Sequence, residues 1–121
     1  MPALSGLKSL PPWLTQADLD YYVSQYETSG FRGPLNWYRN IDRNAGLTTQ
    51  LASAKIAQPS LFIAGTRDPV LSFGGGGMLD AMDRYVTDMR GKVLIEGAGH
   101  WVPMERPDDV NRTLLGFLTS L

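Results

Sequence analysis

Apolar residues in the first half of the chain recur at helical spacing and predict two helices. The first helix is expected over residues 15–28, where a set of apolar side chains shares one face. These side chains are Leu19, Tyr22, Val23 and Tyr26. Thr15 with Asp18 three positions later matches a capping box at the helix start, and Gly30 is expected to end the helix.

A second helix is predicted over residues 34–43. Gly33 followed by Pro34 fits an N-cap and a first helical position, where the missing N–H of proline removes no intrahelical bond. Leu35 and Tyr38 then fall on one stripe of this helix. Polar residues dominate from 44 to 58, and this stretch is expected to be a connector.

The second half of the chain alternates between strand and helix patterns. A short apolar run at residues 61–64 follows a proline and predicts a strand buried on both faces. Apolar residues at helical spacing over 78–89 predict a helix, which the glycine run 74–77 enters as a flexible segment. A second strand is predicted at 92–95, and an amphipathic helix begins at Pro107. This alternation predicts an α/β fold whose strands are parallel.

The composition and charge of the chain exclude several kinds of partner and site. The 121-residue chain is 43% hydrophobic and 19% charged, as expected for an ordinary globular protein. Its formal net charge of -1 gives no basic surface for a phosphate backbone, so we expect no nucleic-acid partner. The chain has no cysteine, which removes disulfides and thiolate metal sites. No apolar run is long enough for a signal peptide or a membrane span, and we expect a cytoplasmic protein.

His100 is the only histidine, and three roles compete for it: catalytic base, metal ligand, or a polar residue at a strand end. A metal site is disfavoured because no second imidazole or suitably spaced carboxylate accompanies it. Asp68 follows the first strand as His100 follows the second, and neighbouring parallel strands lie about 5 Å apart. The two side chains are therefore expected to meet, in the arrangement by which a carboxylate orients a general base. Local roles stay open, with Asp68 capping the turn before Pro69 and His100 hydrogen-bonding nearby.

Segments around these residues resemble a known fold. "GTRDPV" and "GAGHWVPMERPDDVNRTLLGFL" resemble the acid loop and the histidine loop of α/β-hydrolase-fold enzymes, in the same order. "LTQADLDYYVSQYETSGFRGPLNWYRNIDRN" is similar to the end of the cap domain of soluble-type epoxide hydrolases. The resemblance runs from about Leu10 to Leu121. It implies a partial α/β-hydrolase fold, with the end of a helical cap domain over 1–50 and the last parallel strands and helices of the core over 51–121.

The resemblance also implies a reaction and residue roles. In that family an aspartate attacks an epoxide to form a covalent ester, which water then hydrolyses to release a vicinal diol. By motif position Asp68 corresponds to the orienting acid, His100 to the general base and Tyr38 to one of two ring-opening tyrosines. Tyr38 as a packing residue on its helix is the alternative. Trp37 and Trp101 flank these residues, and either line an apolar substrate pocket or pack the cap against the core.

Other parts of that machinery are not found in the sequence. No glycine has Ser, Asp or Cys two positions later, as a nucleophile elbow requires. We therefore expect the nucleophile, the oxyanion hole and the second tyrosine on a complementary amino-terminal polypeptide, and no cofactor. The chain alone is expected to be inactive, with that polypeptide or a second copy of the chain covering its sheet. Two alternatives remain: another α/β hydrolase acting on esters or haloalkanes, and a non-catalytic fragment that binds a partner.

Overall fold

The computed structural model describes residues 9–75 and 77–121, which form two compact units. The division between the units falls between Ala52 and Ser53. The first unit is helical, and the second contains the sheet. Residues 1–8, where no signal peptide is predicted, and Gly76 of the predicted flexible glycine run lie outside the described residues.

The first helix, α1 (Gln16–Ser29), forms where the sequence predicts it. The predicted capping box is present: the Asp18 N–H donates to the Thr15 hydroxyl at 3.2 Å, and the Asp18 carboxylate accepts the Thr15 N–H at 3.0 Å. The helix ends at Gly30, whose φ of 65° is a positive value that glycine adopts without steric cost.

The second predicted helix is in fact two helices, so the expected bounds of 34–43 are wrong. α2 covers Arg32–Arg39 and α3 covers Ile41–Leu47. A single 3-10 turn follows at Thr49–Leu51, so part of the expected connector at 44–58 is also helical.

The start of α2 and the break between α2 and α3 have local causes. The N-cap of α2 is Phe31, so Gly33 and Pro34 lie in its first turn rather than at its start. Proline is tolerated there because the N–H groups of a first turn have no intrahelical acceptor. The break falls at Asn40, whose backbone has φ -94° and ψ 2° and whose side-chain amide donates to the Asn36 carbonyl at 2.8 Å. Such side-chain bonds to the backbone compete with helix continuation.

The strands β1 (Ser60–Gly65) and β2 (Met89–Ile95) form a parallel sheet within the described residues, as the alternating pattern predicts. Both strands are longer than predicted and contain the predicted residues. Their register pairs Gly65 with Ile95 at the carboxyl-terminal ends. The loops that follow the two strands therefore leave the sheet at the same edge.

The helix predicted over residues 78–89 is shorter than expected. α4 covers only Met78–Met82. Val86 forms an isolated parallel bridge with Ile56, and Met89 begins β2. The apolar spacing therefore reflects a helix face, a bridge and a strand in succession.

Lys92 of β2 helps to end α4. Its ammonium group donates to the Leu79 carbonyl at 2.6 Å and pairs with the Asp83 carboxylate at 2.6 Å. In a continued helix the Leu79 carbonyl would accept the Asp83 N–H. That N–H donates to the Ala81 carbonyl instead, so a lysine from the sheet takes the place of a helical hydrogen bond.

The core of the second unit is small and lies at the carboxyl-terminal ends of the strands. Its buried apolar residues are Ala64, Ile95, Ala98 and Val102. The last three form a cluster, against which Ile63, Val93 and Val110 pack. Two helices contribute to this cluster, α5 (Val102–Glu105) and α6 (Pro107–Leu118). α6 begins at the proline from which the closing helix is predicted.

Most of β1 is less buried than predicted. Only Ala64 and Gly65 are buried, and the preceding residues of the strand are partly exposed. Apolar side chains around β1, α4 and the start of β2 line an open groove of about 460 Å³. The expectation of a strand buried on both faces is therefore wrong for the described chain.

The backbone at Gly65 lies so close to the loop after β2 that a side chain there should lower stability. A Cβ atom at this position would lie 2.1 Å from the Ala98 carbonyl oxygen. We expect Gly65→Ala to lower the free energy of unfolding by about 1–3 kcal/mol, because overpacking displaces backbone. Urea unfolding followed by circular dichroism measures this difference.

Gly116 of α6 provides the matched control. A Cβ atom there meets nothing within 4 Å, so Gly116→Ala is expected to raise the free energy of unfolding by about 0.5–1 kcal/mol. Equal effects of the two substitutions would contradict a specific steric role for Gly65.

Candidate active site

Asp68 and His100 lie in the two loops that leave the sheet together. Asp68 follows a turn after β1 and precedes a 3-10 helix at Pro69–Gly75. His100 lies in the turn between β2 and α5. The predicted meeting of the two loops is confirmed: His100 Nδ1 is 3.0 Å from Asp68 Oδ2 and 3.1 Å from Oδ1.

The Asp68 carboxylate makes both of the contacts that the sequence left as alternatives. Besides facing His100, its Oδ1 accepts the Val70 N–H at 2.9 Å and so caps the turn at Pro69. An ionised carboxylate only accepts hydrogen bonds, so His100 Nδ1 must carry the proton in this contact. A neutral His100 ring then has its basic lone pair on Nε2. The Asp68 side chain is 10% exposed and the His100 side chain 52%, so the imidazole keeps an accessible side.

Opposing effects act on the pKa of Asp68. Partial burial works to raise the pKa, but hydrogen bonds from the Val70 N–H and from His100, with the charge of the imidazolium, together outweigh it. The pKa of Asp68 therefore lies below its ordinary value, and the carboxylate is ionised at neutral pH. A negative charge next to Nδ1 stabilises the imidazolium form.

Hydrogen bonds between the two loops hold the acid and the histidine together. The Thr66 hydroxyl accepts the Gly97 N–H at 2.9 Å, and the Arg67 N–H donates to the Ala98 carbonyl at 2.9 Å. Gly97 has a φ of 70°, which residues with a Cβ rarely adopt. Sequence reasoning did not single out Gly65 or Gly97, although a glycine at or near the end of each strand is the signal for both: Gly65 ends β1, and Gly97 is the second residue after β2.

Glu105 is a further residue that sequence reasoning missed. Its Oε2 accepts the Gly99 N–H at 2.7 Å and its Oε1 accepts the Trp101 N–H at 3.1 Å. These amides flank His100 on both sides. A carboxylate in the first turn of a helix that begins just after Trp101 is the sequence signal for such a contact.

The aromatic candidates are divided between the units. The Trp101 ring lies 5.4 Å from the His100 ring, edge on at 71°, and is 56% exposed. Trp37 and Tyr38 belong to the first unit, on α2, and are 80% and 73% exposed. Trp37 lines a shallow pocket there with Asn36 and Asn40 among its neighbours. The structure brings Asp68, His100 and Trp101 together within the second unit.

No group of three or more metal-ligating side chains occurs among residues 9–75 and 77–121. In the same ranges, no helix is both long and apolar enough to cross a membrane.

Solved structures define the class of fold. An epoxide hydrolase A from Mycobacterium thermoresistibile matches 93% of this chain with a TM-score of 0.78 and 47% identity, over 34% of its own length. An epoxide hydrolase from Vigna radiata matches 94% of this chain with a TM-score of 0.87 and 33% identity, over 36% of its length. The parallel sheet with its helices is thus the carboxyl-terminal region of an α/β-hydrolase fold.

Sequence comparison finds relatives of the same kind. The chain is 49% identical over 112 residues to epoxide hydrolase A of Mycobacterium tuberculosis, covering 93% of this chain and 34% of that protein. It is 36% identical over 106 residues to bifunctional epoxide hydrolase 2 of Rattus norvegicus, covering 88% of this chain and 18% of that protein. No protein-family model matches the chain. The chain is a homologue of the carboxyl-terminal portion of the epoxide hydrolases and spans about a third or less of these relatives.

The Asp68–His100 contact predicts a measurable change in carboxyl titration. We expect His100→Ala to raise the pKa of Asp68, because the substitution removes two of the effects that lower it and leaves the opposing effect of burial. The side-chain carboxyl ¹³C shift of Asp68 as a function of pH measures the change.

Asp88 is the control, because its lowered pKa depends first on a hydrogen bond from Arg90 and it precedes β2, at the other end of the sheet. Its titration should not move in His100→Ala. Since the folded-state pKa of Asp68 is depressed, its contribution to stability is present above about pH 4 and is lost as the pH falls through the folded value. An unchanged Asp68 titration in the variant would contradict the contact.

Proposed function

We propose that this chain is the carboxyl-terminal part of an epoxide hydrolase, which converts an epoxide and water into a vicinal diol through a covalent aspartyl ester. The observation that carries the proposal is the contact of His100 Nδ1 with the Asp68 carboxylate at 3.0 Å, at the ends of paired parallel strands. Similarity to epoxide hydrolases over 93% of the chain supports the choice of reaction.

His100 is the general base for the second half of this reaction. Its Nε2 takes a proton from water as the water oxygen attacks the ester carbonyl, and the Asp68 carboxylate stabilises the imidazolium that results. Cleavage of the ester then releases the diol and regenerates the carboxylate nucleophile. The low pKa of Asp68 suits this role, because the orienting group stays ionised throughout the cycle.

Tyr38 serves the first half of the reaction. When the nucleophile attacks an epoxide carbon, the C–O bond breaks and negative charge develops on the departing oxygen. A phenol that donates a hydrogen bond and then its proton to this oxygen stabilises the transition state. Tyr38 lies on α2 with 73% of its surface exposed, so its hydroxyl is accessible. Each tryptophan gives apolar surface beside a residue of the mechanism: Trp37 is next to Tyr38 in α2, and the Trp101 ring lies 5.4 Å from the His100 ring.

The remaining machinery lies on an amino-terminal part that covers the sheet. The chain spans 34% of the length of the Mycobacterium tuberculosis homologue, and the first and second units correspond to the end of the cap and the end of the core. The open groove of the second unit is the surface to be covered. Its apolar lining includes Ile56, Leu61, Phe62, Met82 and Val86. A partly exposed parallel strand with a free edge pairs readily with further strands.

Combining this chain with an amino-terminal part from a homologue tests whether the two parts share the catalytic residues. The 121-residue chain alone is expected to form no measurable diol, because the nucleophile is supplied by the amino-terminal part. Adding the segment of Mycobacterium tuberculosis epoxide hydrolase A that precedes the matched region should restore diol formation. Chromatography of the products from a styrene-oxide-like aryl epoxide measures the turnover.

The products separate the alternatives in that experiment. Diol formed by the chain alone would contradict the proposal that the nucleophile lies on the amino-terminal part. Ester cleavage or halide release by the combined parts, without diol, would indicate a different α/β hydrolase. A stable complex with no turnover of any of these substrates would identify a non-catalytic binding fragment.

Substitutions at His100 and Tyr38 should block different steps of the combined enzyme. We expect His100→Gln to let the covalent ester form but to slow its hydrolysis by at least about 100-fold, since general-base catalysis contributes that much. Tyr38→Phe should slow formation of the ester and leave its hydrolysis unchanged. Intact-mass spectrometry after rapid quenching counts the ester directly. Absence of an accumulated ester in His100→Gln, or an unaltered rate of ester formation in Tyr38→Phe, would remove the corresponding residue from its step.

A further inference from the structure

The backbone on both sides of His100 is held by one side chain. Glu105 Oε2 accepts the N–H of Gly99, and Glu105 Oε1 accepts the N–H of Trp101, at 2.7 and 3.1 Å. The Glu105 N–H donates to the Trp101 carbonyl at 2.9 Å, which is an ordinary helical hydrogen bond of α5. His100 lies between the two residues whose N–H groups the Glu105 carboxylate accepts.

The His100 ring depends on this backbone for its position. His100 lies in a turn outside the strands and helices, and 52% of its side chain is exposed, so surrounding atoms confine the ring only on one side. The Ala98 backbone is fixed upstream, because its carbonyl accepts the Arg67 N–H at 2.9 Å. Between Ala98 and α5, the two bonds to Glu105 hold the backbone on either side of His100 and so help to set the direction of its Cα–Cβ bond.

We propose that Glu105 is a positioning residue for His100, an inference that rests on the proposed role of His100 as general base. The carboxylate holds the Ala98–Gly99 and His100–Trp101 peptide units and thereby keeps Nδ1 within hydrogen-bonding distance of Asp68. A small displacement of a catalytic group lowers the rate of its step by up to about 100-fold. In this role Glu105 acts through the backbone N–H groups of Gly99 and Trp101.

The chemistry of the contact requires a glutamate. A carboxylate has two acceptor oxygens, whereas the amide of a glutamine offers one acceptor and would turn an NH₂ group toward the other backbone N–H. An aspartate retains both acceptors but is shorter by one methylene. Gly99 fits closely here as well, because a Cβ at that position would lie 3.0 Å from Glu105 Oε1.

A titration of the unmodified chain tests the contact without any variant. The amide protons of Gly99 and Trp101 should shift with pH at one shared midpoint, which should also be that of the Glu105 carboxyl ¹³C shift. Amide shifts of Gly99 and Trp101 that do not change at the midpoint of the Glu105 carboxyl shift would overturn the inference. This experiment requires no epoxide turnover, so its outcome is independent of the proposed function.

Glu105→Gln then tests the consequence for His100, with Glu96→Gln as a matched control, because Glu96 is an exposed glutamate in the loop that contains His100. In the 121-residue chain, Glu105→Gln should raise the pKa of Asp68 as His100 moves away, whereas Glu96→Gln should not. In the combined enzyme, Glu105→Gln should lower kcat about 10- to 100-fold with KM little changed, and Glu105→Asp should recover part of the loss.

The outcomes separate the inference from the proposed function. An unchanged Asp68 pKa and an unchanged kcat in a folded Glu105→Gln chain would overturn the positioning role. Equal losses in Glu105→Gln and Glu96→Gln would also overturn it, since they would point to general charge. If Glu105→Gln does not fold, Glu105→Asp must show a displaced Asp68 titration for the inference to stand. A changed Asp68 pKa without turnover in any combination would uphold the positioning of His100 and defeat the proposed reaction.

Discussion

The close packing of Ala98 against the end of β1 is the contact on which the candidate active site depends. Ala98 is fully buried, its carbonyl accepts the Arg67 N–H at 2.9 Å, and only glycine at position 65 leaves room for it. This contact joins the loop after β1 to the loop after β2. Parallel pairing alone brings the loops to one edge of the sheet, and the Ala98 contact brings Asp68 to His100.

Features set by neighbouring residues could be predicted from the sequence. The capping box at Thr15 needs only residues within one turn, and the apolar runs that form the strands carry their own signal. The Asp68–His100 contact was also predictable, because strand order and parallel pairing decide which loops meet. The role of Tyr38 stays a prediction from the family motif.

Features set by distant residues could not be predicted. The helix at 78–89 ends early because Lys92, from a later strand, takes the Leu79 carbonyl, and no helical pattern contains that competition. The burial expected for β1 is incomplete because burial depends on what covers the sheet, not on the strand's own residues. The role of Glu105 could not be predicted, because it depends on contacts with two backbone N–H groups, which the identity of the residue alone does not indicate.

The hydrogen bonds described above that position the acid and the base belong to the second unit, so the base is oriented before any amino-terminal part is added. The most direct test is the tautomer of His100, read from the ¹⁵N shifts of its imidazole; it is the only histidine, so assignment is unambiguous. We predict a neutral imidazole that is protonated at Nδ1, which faces Asp68, and unprotonated at Nε2. A ring protonated mainly at Nε2 would contradict it, because that ring could neither donate to Asp68 nor accept a proton from water at Nε2.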